Sequence, residues 1–406
     1  MRRAPRLLVV AAVPLFLAAT PAPDPAQHAR ELLKTSPLVD GHNDYPWVVR
    51  EKANLDLAQL DIRKSQPTLH TDIPRLRQGG MGGQFWSVYV PVEMKGPEAT
   101  RATLEQIDLV YGMARRYPDV FEMAFSADDV ERAFKAGRIA SLIGMEGGHS
   151  IDGSLATLRM LYRLGARYMT LTHTNNTAWA DSATDEPKSA GLSPFGEEVV
   201  REMNRLGMLV DLSHVSPDTM RDAIRVSKAP VIFSHSSARA LCDSPRDVPD
   251  DVLATLAKNG GVVMVTFVPA FIAPEGGPAI NRYLAEKKRL DALYPGDAKA
   301  VTAAMGEWRK ANPDPKATLS QVADHIDHIK KVAGIDHVGL GGDFDGTDSL
   351  PQGLEDVSKY PDLLAELIRR GYSDEEIRKV AGKNVLRALR GAEAEAAREA
   401  KSDARP

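Results

Sequence analysis

Strand-like apolar runs that each end in a histidine or a carboxylate recur along this chain, and that recurrence constrains its fold more than any other feature. Four segments show it: Leu38-Val39-Asp40-Gly41-His42-Asn43-Asp44, Ala140 to Glu146-Gly147-Gly148, Met208 to Asp211-Leu212-Ser213-His214, and Val231-Ile232-Phe233-Ser234-His235. Parallel strands with their C-terminal ends gathered together would bring these residues into one pocket of three imidazoles and two carboxylates. That donor set suits a pair of divalent cations, zinc first. It points to a metal-dependent hydrolase.

Eight segments read as strands: Pro37–Gly41, Gln84–Pro91, Ile139–Met145, Tyr168–Thr172, Met208–Leu212, Val231–Ser234, Gly261–Phe267 and His337–Gly341. Several are short unbroken apolar runs, the pattern of strands covered on both faces. Helical patterns alternate with them at Ala102–Tyr117, Ser154–Leu164, Pro194–Leu206, Pro217–Ser227, Pro249–Lys258 and Leu319–Ala333. Ser193-Pro194 and Ser216-Pro217 read as an N-cap followed by a proline in the first turn. Gly165, Gly207, Gly260 and Gly334 fall where helices should stop. The alternation predicts an α/β fold, a (β/α)8 TIM-type barrel. Periodicity alone leaves a doubly wound open sheet as the alternative. Pro269 to Thr318 is a long insertion after the seventh strand, with a helical stretch at Ile280–Leu293, placed to cover the catalytic rim. Extra C-terminal helices are expected at Tyr360–Arg370 and Asp374–Leu389. One barrel domain, 23–390, is expected, followed by a polar C-terminal tail, 391–406.

The 406 residues are 43% hydrophobic and 26% charged, enough for a large core. The formal net charge is −4, with no basic stripe to suggest nucleic acid. Met1-Arg2-Arg3-Ala4-Pro5-Arg6, the apolar stretch Leu7 to Ala19 and the small residues that follow have the form of a signal peptide, about 1–22. The apolar stretch is too short to span a bilayer comfortably. No cysteine follows it, and the C-terminus lacks an apolar tail, so no stable membrane anchor is expected. The expectation is an exported bacterial protein, periplasmic or extracellular. Cys242 is the single cysteine and reads as a buried small hydrophobe, so no internal disulfide forms. A homodimer is compatible with the sequence, which does not fix the oligomeric state.

His42 and Asp44 share a face if the segment is extended, so both can reach one metal; the alternative is a turn in which Asp44 binds backbone amides. Glu146 could bridge two cations, or form a buried ion pair with an arginine. His214 and His235 lie 21 residues apart, one β-α unit, each after an apolar run and a serine. Both could serve the second cation as neutral imidazoles. His173, in Leu171-Thr172-His173, could be a further ligand or donate to a developing oxyanion. Asp343 follows the eighth strand and should point into the pocket, where it could move a proton from water to a leaving amine. Asp345 would cap that turn or support a neighbour. His325 and His328 sit mid-helix and read as surface or packing residues, His70, His149 and His337 as structural, and the tryptophans as packing.

Taken together, Val39-Asp40-Gly41-His42-Asn43-Asp44, Glu146-Gly147-Gly148-His149-Ser150, Leu171-Thr172-His173, Val210-Asp211-Leu212-Ser213-His214, Ser234-His235-Ser236-Ser237 and Gly341-Gly342-Asp343-Phe344-Asp345-Gly346 resemble the membrane (renal) dipeptidase family over about residues 30–390. The resemblance implies an amidohydrolase-type (β/α)8 barrel that hydrolyses dipeptides to free amino acids with a metal-activated water. It implies two Zn2+ per chain: His42 and Asp44 on one, His214 and His235 on the other, Glu146 bridging. It further implies that Arg246, by its residues alone a loop charge, binds the substrate carboxylate. His173 would face the carbonyl and Asp343 would shuttle the proton. Animal members are disulfide-bonded and lipid-anchored, whereas this chain resembles a soluble exported bacterial relative. Two rivals stand beside this reading: a related amidohydrolase acting on lactams or N-acyl amino acids, and a binding protein with a degenerate metal site.

Overall fold

The computed structural model of the protein describes residues 24–403, so the signal-peptide segment 1–22 lies outside the described residues. Nine strands form one sheet: β1 (Leu38–Asn43), β2 (Met81–Ser87), β3 (Phe121–Met123), β4 (Ile139–Glu146), β5 (Ala166–Thr170), β6 (Leu209–Asp211), β7 (Ile232–Ser236), β8 (Val262–Val265) and β9 (Val338–Leu340). Every pairing is parallel, and the order is β2-β1-β9-β8-β7-β6-β5-β4-β3. β2 also pairs with β4, from Gly83↔Ala140 to Ser87↔Gly144, and this closes a ring of eight strands. Closure rules out the open doubly wound sheet; the chain is an α/β barrel of the TIM type.

The strands of the ring are buried along their whole length, which is why the sequence shows apolar runs instead of alternation. Helices begin where the sequence marks them. Ser193 and Ser216 cap their helices by accepting from Gly196 and Thr219 N–H, each with proline in the first turn. Gly207 and Gly260 end theirs in the left-handed region, φ +79° and +83°, where glycine carries no side-chain clash.

The structure adds helices Pro25–Leu33, Tyr45–Ala53, Ile73–Gln78 and Ala127–Lys135 to those expected, and it departs from the sequence reading at β2, at β3, in the insertion and at the C-terminus. β2 starts three residues before the expected Gln84, because Gly82 and Gly83 continue the strand. A Cβ on Gly82 would lie 2.7 Å from Pro37, so the glycine permits close packing and does not break the strand. β3 was not expected; its three residues pair with the start of β4, on the edge that β5 takes further along. The insertion holds two helices, Gly276–Leu293 and Ala298–Ala311, where one was read. Finally, no polar tail begins at 391 among the described residues. The last helix runs Asn384–Asp403, with Ala392 and Glu395 buried and Glu393 accepting from Ala127 N–H at 2.9 Å. It packs against β6, β8 and β9, and Arg387 donates to Gly260 and Asp336 carbonyls just before β8 and β9. This helix therefore seals the N-terminal end of the barrel with Val385, Leu386 and Leu389. The C-terminal end is left for chemistry. No described helix is long and apolar enough to cross a membrane.

Candidate metal centre

Each polar residue singled out at a strand end arrives at the same place. His42 lies in β1, and Asp44 follows as the N-cap of the helix Tyr45–Ala53, yet its side chain caps nothing. It turns instead to His42, Oδ2 to Nε2 3.2 Å, and its Oδ1 is buried without a partner. The amide-binding turn is thus not what forms. Glu146 ends β4. Its Oε2 lies 3.4 Å from His42 Nε2, and its Oε1 lies 3.1 Å from His214 Nε2, 3.5 Å from His235 Nε2 and 3.6 Å from His173 Nε2. Its two oxygens therefore face two separate histidine sets, and imidazoles, not an arginine, form its close ion-pair partners. His214 and His235 bring their Nε2 atoms within 2.9 Å of each other. Asp343 Oδ1 completes the first side at 4.0 Å from His42 Nε2.

Three overlapping groups have ligand atoms close enough to hold an ion: His42, Glu146 and His235; Glu146, His173 and His214; His42, Asp44 and Asp343. The donor atoms explain why a cation fits. Tyr168 donates its hydroxyl proton to Gly41 C=O at 3.1 Å, so its oxygen is left to accept from His42 Nδ1 at 2.8 Å. With the proton on Nδ1, His42 Nε2 is a buried lone pair without a hydrogen-bond partner, facing two carboxylate oxygens. Burial opposes charge on His42, but Tyr168, Glu146 and Asp44 outweigh it and raise it well above the ordinary histidine value, so the site calls for a positive charge at Nε2, either a second proton or a metal ion in its place.

The electrostatics agree. Burial presses His214 and His235 well below the ordinary histidine value, with Arg246 and His173 adding at His214, and His42 at His235. Both are then neutral imidazoles, the ligand form. Burial opposes charge on Glu146, but His42, His173 and the His214 hydrogen bond outweigh it and hold the carboxyl well below its usual range. Asp343 goes the other way: burial, then Asp44 and Glu146 against the opposing His42 and Arg246, pushes it well above. His214 and Asp343 also hold φ at +67° and +59°. Such a conformation costs a non-glycine residue on the order of 1–3 kcal/mol and tends to persist at functional positions.

Arg246 is 3% exposed. Its guanidinium has only long bonds, 3.5 Å to Ser236 Oγ and 3.4 Å to His235 C=O, a buried Nε without a partner, and the Phe271 ring 5.0 Å away. It lines one cavity of about 510 Å³ with Glu146, His173, His214 and Asp343. The insertion supplies the far wall through Ile280, Tyr283, Leu284 and Trp308. His173 stacks on His214 at 4.2 Å and meets the Tyr89 ring at a tilt, 4.9 Å away, and its Nδ1 is buried without a partner.

The remaining histidines are structural. His70 and Asp345 exchange hydrogen bonds through backbone N–H groups, which supports the Asp343 turn. His149 bonds Val90 C=O, and His337 bonds Gly261 C=O. His328 meets Asp250 at the surface. His325 is fully packed: Nδ1 accepts from Ala238 N–H and Nε2 donates to Ile272 C=O, both at 3.0 Å. Burial pushes the Cys242 thiol up to about 12, in keeping with an inert hydrophobe. Trp86 and Trp179 are buried packing residues; Trp308 packs on the hairpin core and Trp47 edge-on against Tyr89, and these two also line the cavity. Sequence reasoning passed over Tyr168, Ser234 and Asp211 as chemistry. The one available signal was Gly144, opposite Tyr168 on β4, where a Cβ would fall 2.0 Å from the tyrosine ring.

Known proteins share this arrangement of elements. The probable dipeptidase PvdM from Pseudomonas aeruginosa is 28% identical and superposes with a TM-score of 0.79, over 91% of this chain and 99% of its own. The dipeptidase AC, a metallopeptidase of family M19, is 27% identical with a TM-score of 0.73, over 88% of this chain and 99% of its own. A metallopeptidase from Rhodobacter sphaeroides, solved with a phosphinate mimic of the dipeptide L-Ala-D-Ala, is 26% identical with a TM-score of 0.73 and the same coverage, 88% and 99%. A family model described as membrane dipeptidase (peptidase family M19) matches residues 26–403, and the chain belongs to that family of metallopeptidases.

Proposed function

We propose that the chain is a zinc-dependent dipeptidase that hydrolyses dipeptides to free amino acids. The observation that carries this reading is a two-sided donor cluster sharing one cavity with a buried guanidinium whose donors are largely unspent. His42 and Asp44 would hold one ion, His214 and His235 the other, and Glu146 both. The imidazole and carboxylate donors favour zinc. When bound, such a metal pair lowers the pKa of water toward neutrality and polarises a carbonyl.

The chain's own groups supply the rest. Arg246 grips the substrate carboxylate in a desolvated setting, where a charge-assisted pair is strong. His173, packed between His214 and Tyr89, donates a hydrogen bond to the carbonyl oxygen as negative charge develops there. Asp343, whose carboxyl holds its proton more tightly than an ordinary carboxylate, passes a proton to the departing nitrogen. No serine or cysteine nucleophile is required. Export by the N-terminal segment would place the activity outside the cytoplasm, and a mass shift between precursor and mature protein checks that.

The test is amino-acid release from a panel of L,L- and L,D-dipeptides, with zinc and after chelation. L,D substrates belong in the panel because a relative was solved with an L-Ala-D-Ala mimic. Zinc-dependent cleavage of free dipeptides, absent for N-acetylated dipeptides and tripeptides, is expected. A zinc-loaded, folded protein that releases nothing from dipeptides but opens a lactam or cleaves an N-acyl amino acid overturns the reading.

A further inference from the structure

His42 and His235 come from different strands and lie side by side in the centre, ring centroids 3.9 Å apart, yet each has its outer ring nitrogen fixed by a different buried partner. On the His42 side the partner is Tyr168, which is fully buried, donates to Gly41 C=O and accepts from His42 Nδ1. Its ring lies against Gly144, where any side chain would collide with it, so neighbouring β4 is cut away to admit it. On the His235 side, His235 Nδ1 lies 2.9 Å from Ser234 Oγ, and Ser234 Oγ donates to Asp211 Oδ2 at 2.7 Å. Asp211 also accepts from Ser213 N–H at 3.1 Å, Ser234 N–H at 2.8 Å and the Thr170 hydroxyl. Four donors hold this carboxylate still. The Ser234 proton is committed to it, so the serine oxygen accepts from His235 Nδ1. By contrast, Nδ1 of His214 is buried without a hydrogen-bond partner.

We propose that Tyr168 and the Ser234–Asp211 pair are positioning residues, one for each half of the centre, which commit the proton of His42 and of His235 to Nδ1 and leave Nε2 of each as the ligand atom. This rests on the reading that the cluster holds metal. A ligating imidazole whose other nitrogen is anchored keeps its tautomer and ring orientation, and loss of the anchor costs roughly 10–100-fold in metal affinity. The two anchors differ in kind, a neutral phenol on one side and a carboxylate relayed through a hydroxyl on the other. Each half can therefore be weakened separately.

The experiment is a zinc competition titration, against a chromophoric chelator, of the intact wild-type protein, Tyr168→Phe and Ser234→Ala, with Co2+ absorption spectra of the same three proteins. The wild type is read first: uptake of no zinc sinks the metal-centre reading itself. Given uptake of two equivalents, each variant should weaken one by roughly 10–100-fold and leave the other within about threefold. The two Co2+ spectra should then change in different bands. Wild-type affinity in both variants, or equal loss of both equivalents in each, overturns the proposal. Should a variant fail to fold, 15N shifts of the histidine rings in the zinc-loaded wild type decide: at least two imidazoles protonated at Nδ1 and ligated through Nε2 are expected, and metal on Nδ1 of His42 or His235 overturns it.

Discussion

The two walls of the cavity are built from opposite materials. The strand-end wall is stitched by buried groups. Asp40 accepts from His42 N–H and Gly342 N–H, joining β1 to the end of β9, while Asp211 accepts from Ser213 N–H and Ser234 N–H, joining β6 to β7. The same device thus recurs at two strand junctions of the barrel, three strands apart. The lid wall is a helical hairpin with its own small core of Leu290, Val301 and Met305. Part of its attachment runs through solvent-exposed pairs, Lys288 with Glu186 at 2.9 Å and Arg309 with Asp348 at 3.6 Å. Removing one member of a buried polar set leaves its partner stranded and costly, whereas an exposed ion pair contributes about 0–1 kcal/mol. Reaction chemistry therefore belongs to the wall that cannot shift, and substrate selection can be left to the wall that can change without unfolding the barrel.

The contrast is sharpest at Glu146. Glu146→Gln keeps the shape but removes the charge that faces both histidine sets. We expect metal content to fall, and kcat/KM to fall roughly 10³-fold or more, corresponding to about 4 kcal/mol. Elemental analysis beside dipeptide kinetics checks this. A variant that keeps both its metal and its rate would remove the strand-end wall from the chemistry. Arg246→Met comes next. It should raise KM by roughly 30–1000-fold, about 2–4 kcal/mol, with a smaller effect on kcat, because the proposed role of the guanidinium is to hold the substrate's carboxylate end. Unchanged KM would take the carboxylate grip away from Arg246.

Much of the strand-end wall was legible because its residues are tied to strand ends by sequence position. His214 and His235 bear the same relation to neighbouring strands, and Asp44 follows His42 by two. Their partners were not legible. A buried tyrosine in β5 gives the same pattern whether its hydroxyl anchors a histidine or merely packs, and only the cross-strand pairing of Tyr168 with Gly144 separates the two. The start of β2 was misread because glycines that allow close packing look like glycines that end strands. The polar end of the last helix looked like a tail because its buried face is carried by Ala392 and a glutamate, Glu395, and not by large apolar residues. The lid's second helix, Ala298–Ala311, went unread although Val301, Ala304, Met305 and Trp308 form an apolar stripe at helical spacing; that stripe packs on the first lid helix and not on the barrel.

His325 joins the two walls, and its effect should be intermediate. It accepts from Ala238, in the loop that leads to Arg246, and donates to Ile272 at the base of the lid. Burial lowers it to about 4 from the ordinary 6.5. The unfolded chain therefore takes up a proton near pH 6.5 that the folded chain refuses until about pH 4. Stability from this group is complete above pH 6.5 and is lost as pH falls toward 4. Between pH 8 and pH 5 the loss should be about 2 kcal/mol. Urea unfolding of the wild type and His325→Gln at both pH values measures it, since the variant should be destabilised at pH 8 but lack this share of the pH dependence. Equal slopes in the two proteins would show that the junction does not titrate.

The smallest effect should come from the lid's attachment. A double-mutant cycle on Lys288→Ala and Glu186→Ala should give a coupling energy below about 1 kcal/mol, because both side chains are more than three-quarters exposed and water screens the pair. Hydrogen exchange should find the amides of Gly276–Leu293 and Ala298–Ala311 opening well before those of β1, β4 and β7, since the hairpin's own core is three residues while the strands are buried on both faces. A coupling above about 2 kcal/mol, or protection of the hairpin equal to that of the strands, would make the lid as rigid as the metal wall. Selection of substrate would then have to be sought among the buried residues behind the strand ends, Arg246 first.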